Sequence, residues 1–279
     1  MKRIMIKKAS GQTVPFNPEK IKNSLKRSGA SQDIQDKVLK KVEESLVPGI
    51  TTDEIYSIIR KELKGSSPSS SARYQLRSSL LRFGPAGYNF EKYVASILTE
   101  YGYKTELPFE LQGACVSHEV DVIAEKDGRK MFIEAKFRNR FDDVVNIKDT
   151  MATWSRYLDL VEGARLGLCP HFDEAWIVTN ARFTSHSLKY GHCKNMVLIG
   201  WNHPKERTFA KMVDLNSLYP VTVLDDVTDK EVQIFSKHNL MLCRELVGKD
   251  VAQLAQLTGL PNSRIQSIID QCQQIIEEK

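Results

Sequence analysis

The spacing of apolar positions changes period several times along the chain, most sharply between residues 118 and 136. Val120, Val122 and Ala124 recur at every second position, and so do Met131, Ile133 and Ala135 after the dipeptide Asp127-Gly128. That period predicts two strands, and Asp-Gly between them is a strong hairpin signal because both turn positions need φ > 0. With those two residues as the turn, facing residues have numbers that sum to 255. Asp121 then lies opposite Glu134 and Glu119 opposite Lys136, all four on one face, with Val120, Val122, Ala124, Met131, Ile133 and Ala135 on the other. Upstream, Phe90, Val94, Ile97, Leu98 and Tyr101 fall at helical spacing, and Gly102 supplies the stop. Downstream, 175–180 reads as a buried strand, 183–190 as a turn into a short helix, and 196–199 as another strand. The stretch 204–228 reads as connecting sequence.

Both ends of the chain have helical periods. Asn17-Pro18 marks a helix start, since proline is tolerated at the first helical position. A second helix is predicted over 34–46. A third opens at Thr51-Thr52-Asp53-Glu54, with a threonine as N-cap, and a fourth follows the serine-rich patch 65–71 and ends near Phe83. At the other end, Val251, Leu254 and Leu257, then Ile265, Ile268, Ile269 and Cys272, predict two short amphipathic helices around Thr258-Gly259-Leu260-Pro261. In outline these are similar to a helix-hairpin-helix. Helical packing, DNA binding and dimerisation all remain open for this segment.

Charge sharpens the division. The chain has 279 residues and net charge +5, which suits about two domains or more. Residues 1–83 hold 17 Lys and Arg against 8 Asp and Glu, a net +9 that leaves −4 for the rest. A polyanionic ligand for the N-terminal part, nucleotide or DNA backbone, follows from that excess. No apolar run is long enough to span a membrane, and the first residues lack the apolar core of a signal peptide. The five cysteines are scattered and odd in number, which argues for a reducing compartment. A cytoplasmic protein is expected. Cys169, His171, His192 and Cys193 supply four soft or imidazole donors, but not at a standard zinc spacing.

Opposed carboxylates repel, so Asp121 and Glu134 on one face call for a compensating cation. The hairpin Asp121 with Glu134-Ala135-Lys136 resembles that of the PD-(D/E)xK nucleases. The resemblance implies Mg²⁺ (or Mn²⁺) on Asp121, Glu134 and the Ala135 carbonyl, with Lys136 at the attacking water; hard oxygen donors suit such an ion. The helix carrying Phe90-Glu91 and the segment after Thr179-Asn180 resemble the Mrr-like restriction endonuclease branch over roughly 85–203, in which Glu91 would approach the metal. Arg138 and Arg140, just beyond, are candidates for DNA phosphates.

The N-terminal hairpin and four helices resemble the ATP-cone, a regulatory nucleotide-binding domain, over roughly 3–83. Lys8, Lys20 and Thr52 match its binding residues, and lysines suit phosphates. Ala9, Ser10 and Val14 depart from its pattern, which bears on affinity and base selectivity.

The expected architecture is therefore multidomain, α+β and α/β. It comprises a mostly helical ATP-cone over 1–84, a restriction-endonuclease-like αβββαβ core over 85–225 and a small helical module over 226–279. The expected activity is Mg²⁺-dependent DNA endonuclease, of restriction, defence or repair type, with ATP or dATP as allosteric ligand and a homo-oligomeric assembly. The rival class is a nucleotide-responsive DNA-binding or regulatory protein that does not cleave.

Overall fold

The computed structural model describes residues 4–8, 10–83, 88–108 and 110–277. Ala9, singled out above, lies outside them. The chain divides into two compact units, residues 1–76 with 270–279, and residues 77–269.

The first unit opens with an antiparallel hairpin, β1 (Met5–Lys7) and β2 (Thr13–Pro15), followed by α1 (Pro18–Arg27), α2 (Gln32–Glu44), α3 (Thr52–Ser66) and α4 (Pro68–Leu81), the last extending into the second unit. Each helix start has a local cause. The Asn17 side chain accepts from the Glu19 amide with Pro18 next to it, Ser31 caps α2, and Thr51 with Glu54 forms a capping box for α3. Lys7 donates its amide to Ile50 and pairs with Thr51 as an isolated bridge, so the hairpin is tied to the start of α3. Leu25, Val38, Val42, Ile55, Ile59 and Leu63 form the core beneath.

The second unit is built on a five-stranded mixed sheet. Its elements run α5 (Tyr88–Glu100), β3 (Lys104–Glu106), β4 (Leu111–Gln112), β5 (Ser117–His118), β6 (Val122–Lys126), β7 (Arg129–Lys136), β8 (Val144–Val145), α6 (Ile147–Arg165), β9 (Glu174–Thr179), β10 (Arg182–Phe183), α7 (Ser185–Cys193) and β11 (Val197–Ile199). The sheet order is β11-β9-β7-β6-β3, with β11, β9 and β7 parallel and β6 and β3 antiparallel. The αβββαβ order and each strand expected from the apolar pattern are present. Ile123, Phe132, Ala175, Ile177 and Leu198 pack with Leu160, Phe172 and Phe183 in one core cluster.

The hairpin register follows the turn. Val122 pairs with Ile133 and Lys126 with Arg129, and Asp127 and Gly128 have φ of 52° and 73°. The ladder stops at Val122, however, and the expected Glu119–Lys136 pairing does not form. Val120 belongs to the cluster of Ile123 and Phe132 rather than to the face of Val122. The cause is local: the Asp121 side chain accepts the Ala135 amide at 2.7 Å, so the chain leaves the strand there and the alternation breaks.

The remainder is helical: α8 (Phe209–Leu215), α9 (Asp229–Lys237), α10 (Cys243–Leu246), α11 (Val251–Thr258) and α12 (Asn262–Glu277), the last of which ends in the first unit. The stretch 204–228 is not a linker. Phe209, Met212, Val213, Leu218 and Tyr219 within it are buried. Lys92 donates to the Ser236 carbonyl at 2.6 Å and Tyr93 to that of Leu218 at 2.8 Å, so these buried donors are satisfied by the C-terminal segment, and the half-buried Arg82 donates to the carbonyls of Thr222 and Leu224. Gly259 ends α11 in the left-handed conformation, and the two helices around it are as expected. Among the described residues no helix is long and apolar enough to cross a membrane.

Candidate functional site

Two places gather the residues that the sequence singled out. The first is the C-terminal end of β7. Glu134 is only 4% exposed, an unusual position for a carboxylate without partners. Its Oε1 accepts from Lys136 Nζ at 2.8 Å, and its Oε2 accepts from the Arg156 guanidinium, which comes from α6. Arg156 also donates to the Glu119 carbonyl at 3.3 Å, on the segment leading into Asp121.

Asp121, Glu134 and Glu91 form an acidic group in spite of those cations. Burial, then Glu134 and Glu91, push the Asp121 carboxyl up to about 8, against the lowering effects of the Ala135 amide and Arg156. Burial, then Glu119 and Glu134, push Glu91 up to about 7. Glu91, on α5, is thus near enough to Glu119 and Glu134 for their charges to raise it.

The donor set fits a small divalent cation. It offers two carboxylates that repel each other and, beside them, the Ala135 carbonyl. In a strand the N–H and C=O of one residue face the same neighbour, so the Ala135 carbonyl opens on the side where its amide meets Asp121. Among the described residues no three His, Cys, Asp or Glu side chains are gathered closely enough to hold a metal by themselves.

Arg138, a candidate for a DNA phosphate, has partners within the chain. Its guanidinium bonds Asp149 at 2.7 Å and the Val144 carbonyl at 3.3 Å, pinning the loop after β7 to the start of α6. Arg140 is exposed. The four zinc-type donors do not converge: Cys169 donates to the Leu160 carbonyl, His171 lies 3.6 Å from Asp173, and His192 Nε2 faces His203 Nε2 at 3.3 Å.

The second place lies in the first unit. A cavity of about 220 Å³ is lined by Lys8, Lys20 and Thr52 together with Val14, Tyr56 and Tyr74. All three residues matched to the ATP-cone thus meet at one opening. The Tyr56 and Tyr74 rings stack with centroids 5.1 Å apart, and burial, then Tyr56, pushes the Tyr74 hydroxyl up to about 12. An apolar, aromatic interior with two ammonium groups at the rim suits a base inside and phosphates outside.

Comparisons with known proteins agree with this division. Family profiles match an ATP cone domain at residues 4–80, a restriction endonuclease domain at 85–203 and an AF1548-like C-terminal domain at 219–276. The chain is thus an ATP-cone joined to an Mrr-like restriction-endonuclease domain, a multidomain α+β protein. Over 184 residues it is 32% identical to an uncharacterized protein of Archaeoglobus fulgidus, covering 66% of this chain and 99% of that one, and it belongs to that protein's family. A crystal structure of a protein of unknown function, AF1548, matches with a TM-score of 0.61 and 29% identity, covering 70% of this chain and 100% of the other. An MspJI restriction endonuclease in complex with a 27-mer oligonucleotide matches at 12% identity and a TM-score of 0.35, covering 71% of this chain and 40% of the other.

Proposed function

We propose that the chain is a divalent-metal-dependent nuclease that hydrolyses DNA phosphodiester bonds and whose rate responds to ATP or dATP held by the cone. The observation that carries the reading is the meeting of Asp121, Glu134 and the Ala135 backbone at the end of β7, with Lys136 beside them. Asp121, Glu134 and the Ala135 carbonyl would hold Mg²⁺ or Mn²⁺. Such an ion supplies acidified water and charge neutralisation at the scissile phosphate.

The chain's own groups do the rest. Lys136 Nζ, already donating to Glu134, is placed to donate to the attacking oxygen and to a phosphate oxygen as charge builds. Glu91, its carboxyl pushed up to about 7 by burial and then by Glu119 and Glu134, would ionise more readily beside a positive charge. The two core helices and the sheet keep Glu134 nearly dry, which strengthens each of these interactions.

In the cone, Lys8 and Lys20 would take phosphates, Thr52 would donate its hydroxyl, and Tyr56 and Tyr74 would face the base. A nucleotide bound there regulates only if it prefers one state of the protein over another. One observation favours the non-cleaving alternative: both Glu134 oxygens already have cationic partners within the chain.

Plasmid DNA incubated with the full chain and Mg²⁺, with and without ATP or dATP, separates the two. Metal-dependent nicking or cutting that is lost in Asp121→Ala and Lys136→Ala supports the nuclease. Tight DNA binding without strand breaks under every condition supports the regulatory protein.

A further inference from the structure

Arg156 is the residue at this site for which neither the hairpin nor the resemblance accounts. It lies on α6 in the same stripe as the buried Thr153 and Leu160, three residues after one and four before the other. A guanidinium in an otherwise buried stripe needs partners, and it has them in the Glu134 carboxylate and the Glu119 carbonyl. It therefore ties together the two segments that carry Glu134 and Asp121. Lys136, from the same strand as Glu134, covers the other carboxylate oxygen.

This arrangement solves the metal-free state. A carboxylate as buried as Glu134 is costly unless its charge is balanced, and Arg156 with Lys136 balances it. A divalent cation would need one of those oxygens. Lys136 can keep its oxygen, being two residues along the same strand, whereas Arg156 sits on the other one. The guanidinium has five donors in a planar fork, so it can leave Glu134, stay on the Glu119 carbonyl and still have N–H groups for a planar anionic oxygen pair. Its side chain is 25% exposed, so solvent and a phosphate can reach it.

Building on the metal-nuclease reading, we infer that Arg156 holds the cation's place on Glu134 and yields that oxygen when the cation binds. It then donates to the non-bridging oxygens of the DNA phosphate under attack. It is a positioning residue in the first state and a phosphate ligand in the second. Removing it should make the metal bind better and the reaction run worse, a pairing that a purely structural clamp does not give.

The test uses the full chain and its Arg156→Gln, Arg156→Lys and Asp121→Ala variants, with Mn²⁺ titrated calorimetrically in the absence of DNA. Cleavage is then measured at saturating Mn²⁺. Arg156→Gln should bind Mn²⁺ about tenfold tighter, because a positive charge next to the ion is gone. Its kcat should fall about a hundredfold with little change in KM for DNA, as for an interaction made mainly in the transition state. Arg156→Lys keeps the charge but not the fork, so it should bind Mn²⁺ near the wild-type level and still turn over slowly; it serves as the informative variant if Arg156→Gln does not fold. Unchanged or weaker Mn²⁺ binding by Arg156→Gln would overturn the inference alone, leaving the metal site standing. A wild type that binds no Mn²⁺, or binding that survives in Asp121→Ala, would instead overturn the metal-nuclease reading and the inference with it.

Discussion

The cavity in the N-terminal unit and the acidic group at the end of β7 start from opposite charges and reach opposite states of readiness. The cavity is lined by two lysines and an aromatic pair, with Lys8 donating to the neutral Gln12 side chain, so an anionic ligand would meet cations that no carboxylate in the lining offsets. The acidic group has too much of its own charge; Arg156 and Lys136 pair with Glu134, and burial among like charges pushes the Asp121 carboxyl up. A preformed cationic site needs only its ligand. A self-neutralised acidic site must release something before a cation enters, which makes it the more easily controlled of the two.

The largest expected effect breaks the acidic side of that comparison. Glu134→Ala should lose at least about a hundredfold in metal-dependent cleavage, on the scale of removing one group that stabilises the transition state. The same variant should bind ATP as the wild type does by calorimetry, because the cavity shares no lining residue with the acidic group. Weakened ATP binding would show that the two sites are not independent in this sense.

Next in size, Lys8→Ala with Lys20→Ala should weaken ATP binding by roughly a hundredfold, since it removes two hydrogen bonds involving a charged partner, each at the low end of about 1.5–3 kcal/mol. Calorimetric titration of the full chain checks it. Affinity equal to the wild type would remove the lysines from the site and leave only an apolar cavity.

Much of this was legible in the sequence, for reasons that can be named. Asp127-Gly128 fixed the hairpin register through its positive φ values, and the register carried Glu134 and Asp121 to the same place. Lys8, Lys20 and Thr52 are far apart in the chain, and only the resemblance to a known domain brought them to one opening. Arg156 was missed because it is 22 residues from Glu134 and looks like an ordinary helix cation. The one signal was its place between Thr153 and Leu160 on the buried stripe of α6. The stretch 204–228 was misread for two reasons: the period of Phe209, Met212 and Val213 spans only the short α8, and Leu218 and Tyr219 beyond it follow no period, Leu218 accepting from Tyr93 far away in sequence. Val120 failed for a different reason: a side chain, not the backbone, satisfied the Ala135 amide, and the alternation ended one residue early.

A pH effect sharpens the contrast. Asp121 and Glu91 are raised to about 8 and about 7, so in the metal-free protein both are protonated at lower pH. A raised carboxyl favours the folded state while it keeps its proton, and that advantage is lost as pH rises through its folded pKa. The melting temperature in chelator should therefore fall as pH rises from about 4, the ordinary carboxyl value, and level off once 8 is passed, and added Mg²⁺ should restore it. The apparent Mg²⁺ affinity should rise over the same range, with protons released on binding. A flat melting profile in chelator that Asp121→Ala does not alter would contradict the origin assigned to the shift.

The smallest effect concerns the cavity's aromatic interior. Tyr56→Ala removes one ring of the stacked pair and should weaken ATP binding by a few-fold to about tenfold, the scale of a single aromatic contact. Equal loss for ATP and for inorganic triphosphate would mean that the ring supports the fold of the cavity rather than the base.

The central claim is that the end of β7 is a metal centre made by Asp121, Glu134 and the Ala135 carbonyl, and anomalous scattering from crystals grown with Mn²⁺ tests it most directly. A metal centre there gives a peak in direct contact with an oxygen of each of the three, with Arg156 withdrawn from Glu134. Crystals at saturating Mn²⁺ with no peak there and Arg156 still on the carboxylate, or with the metal on the His192 and His203 pair instead, would contradict it.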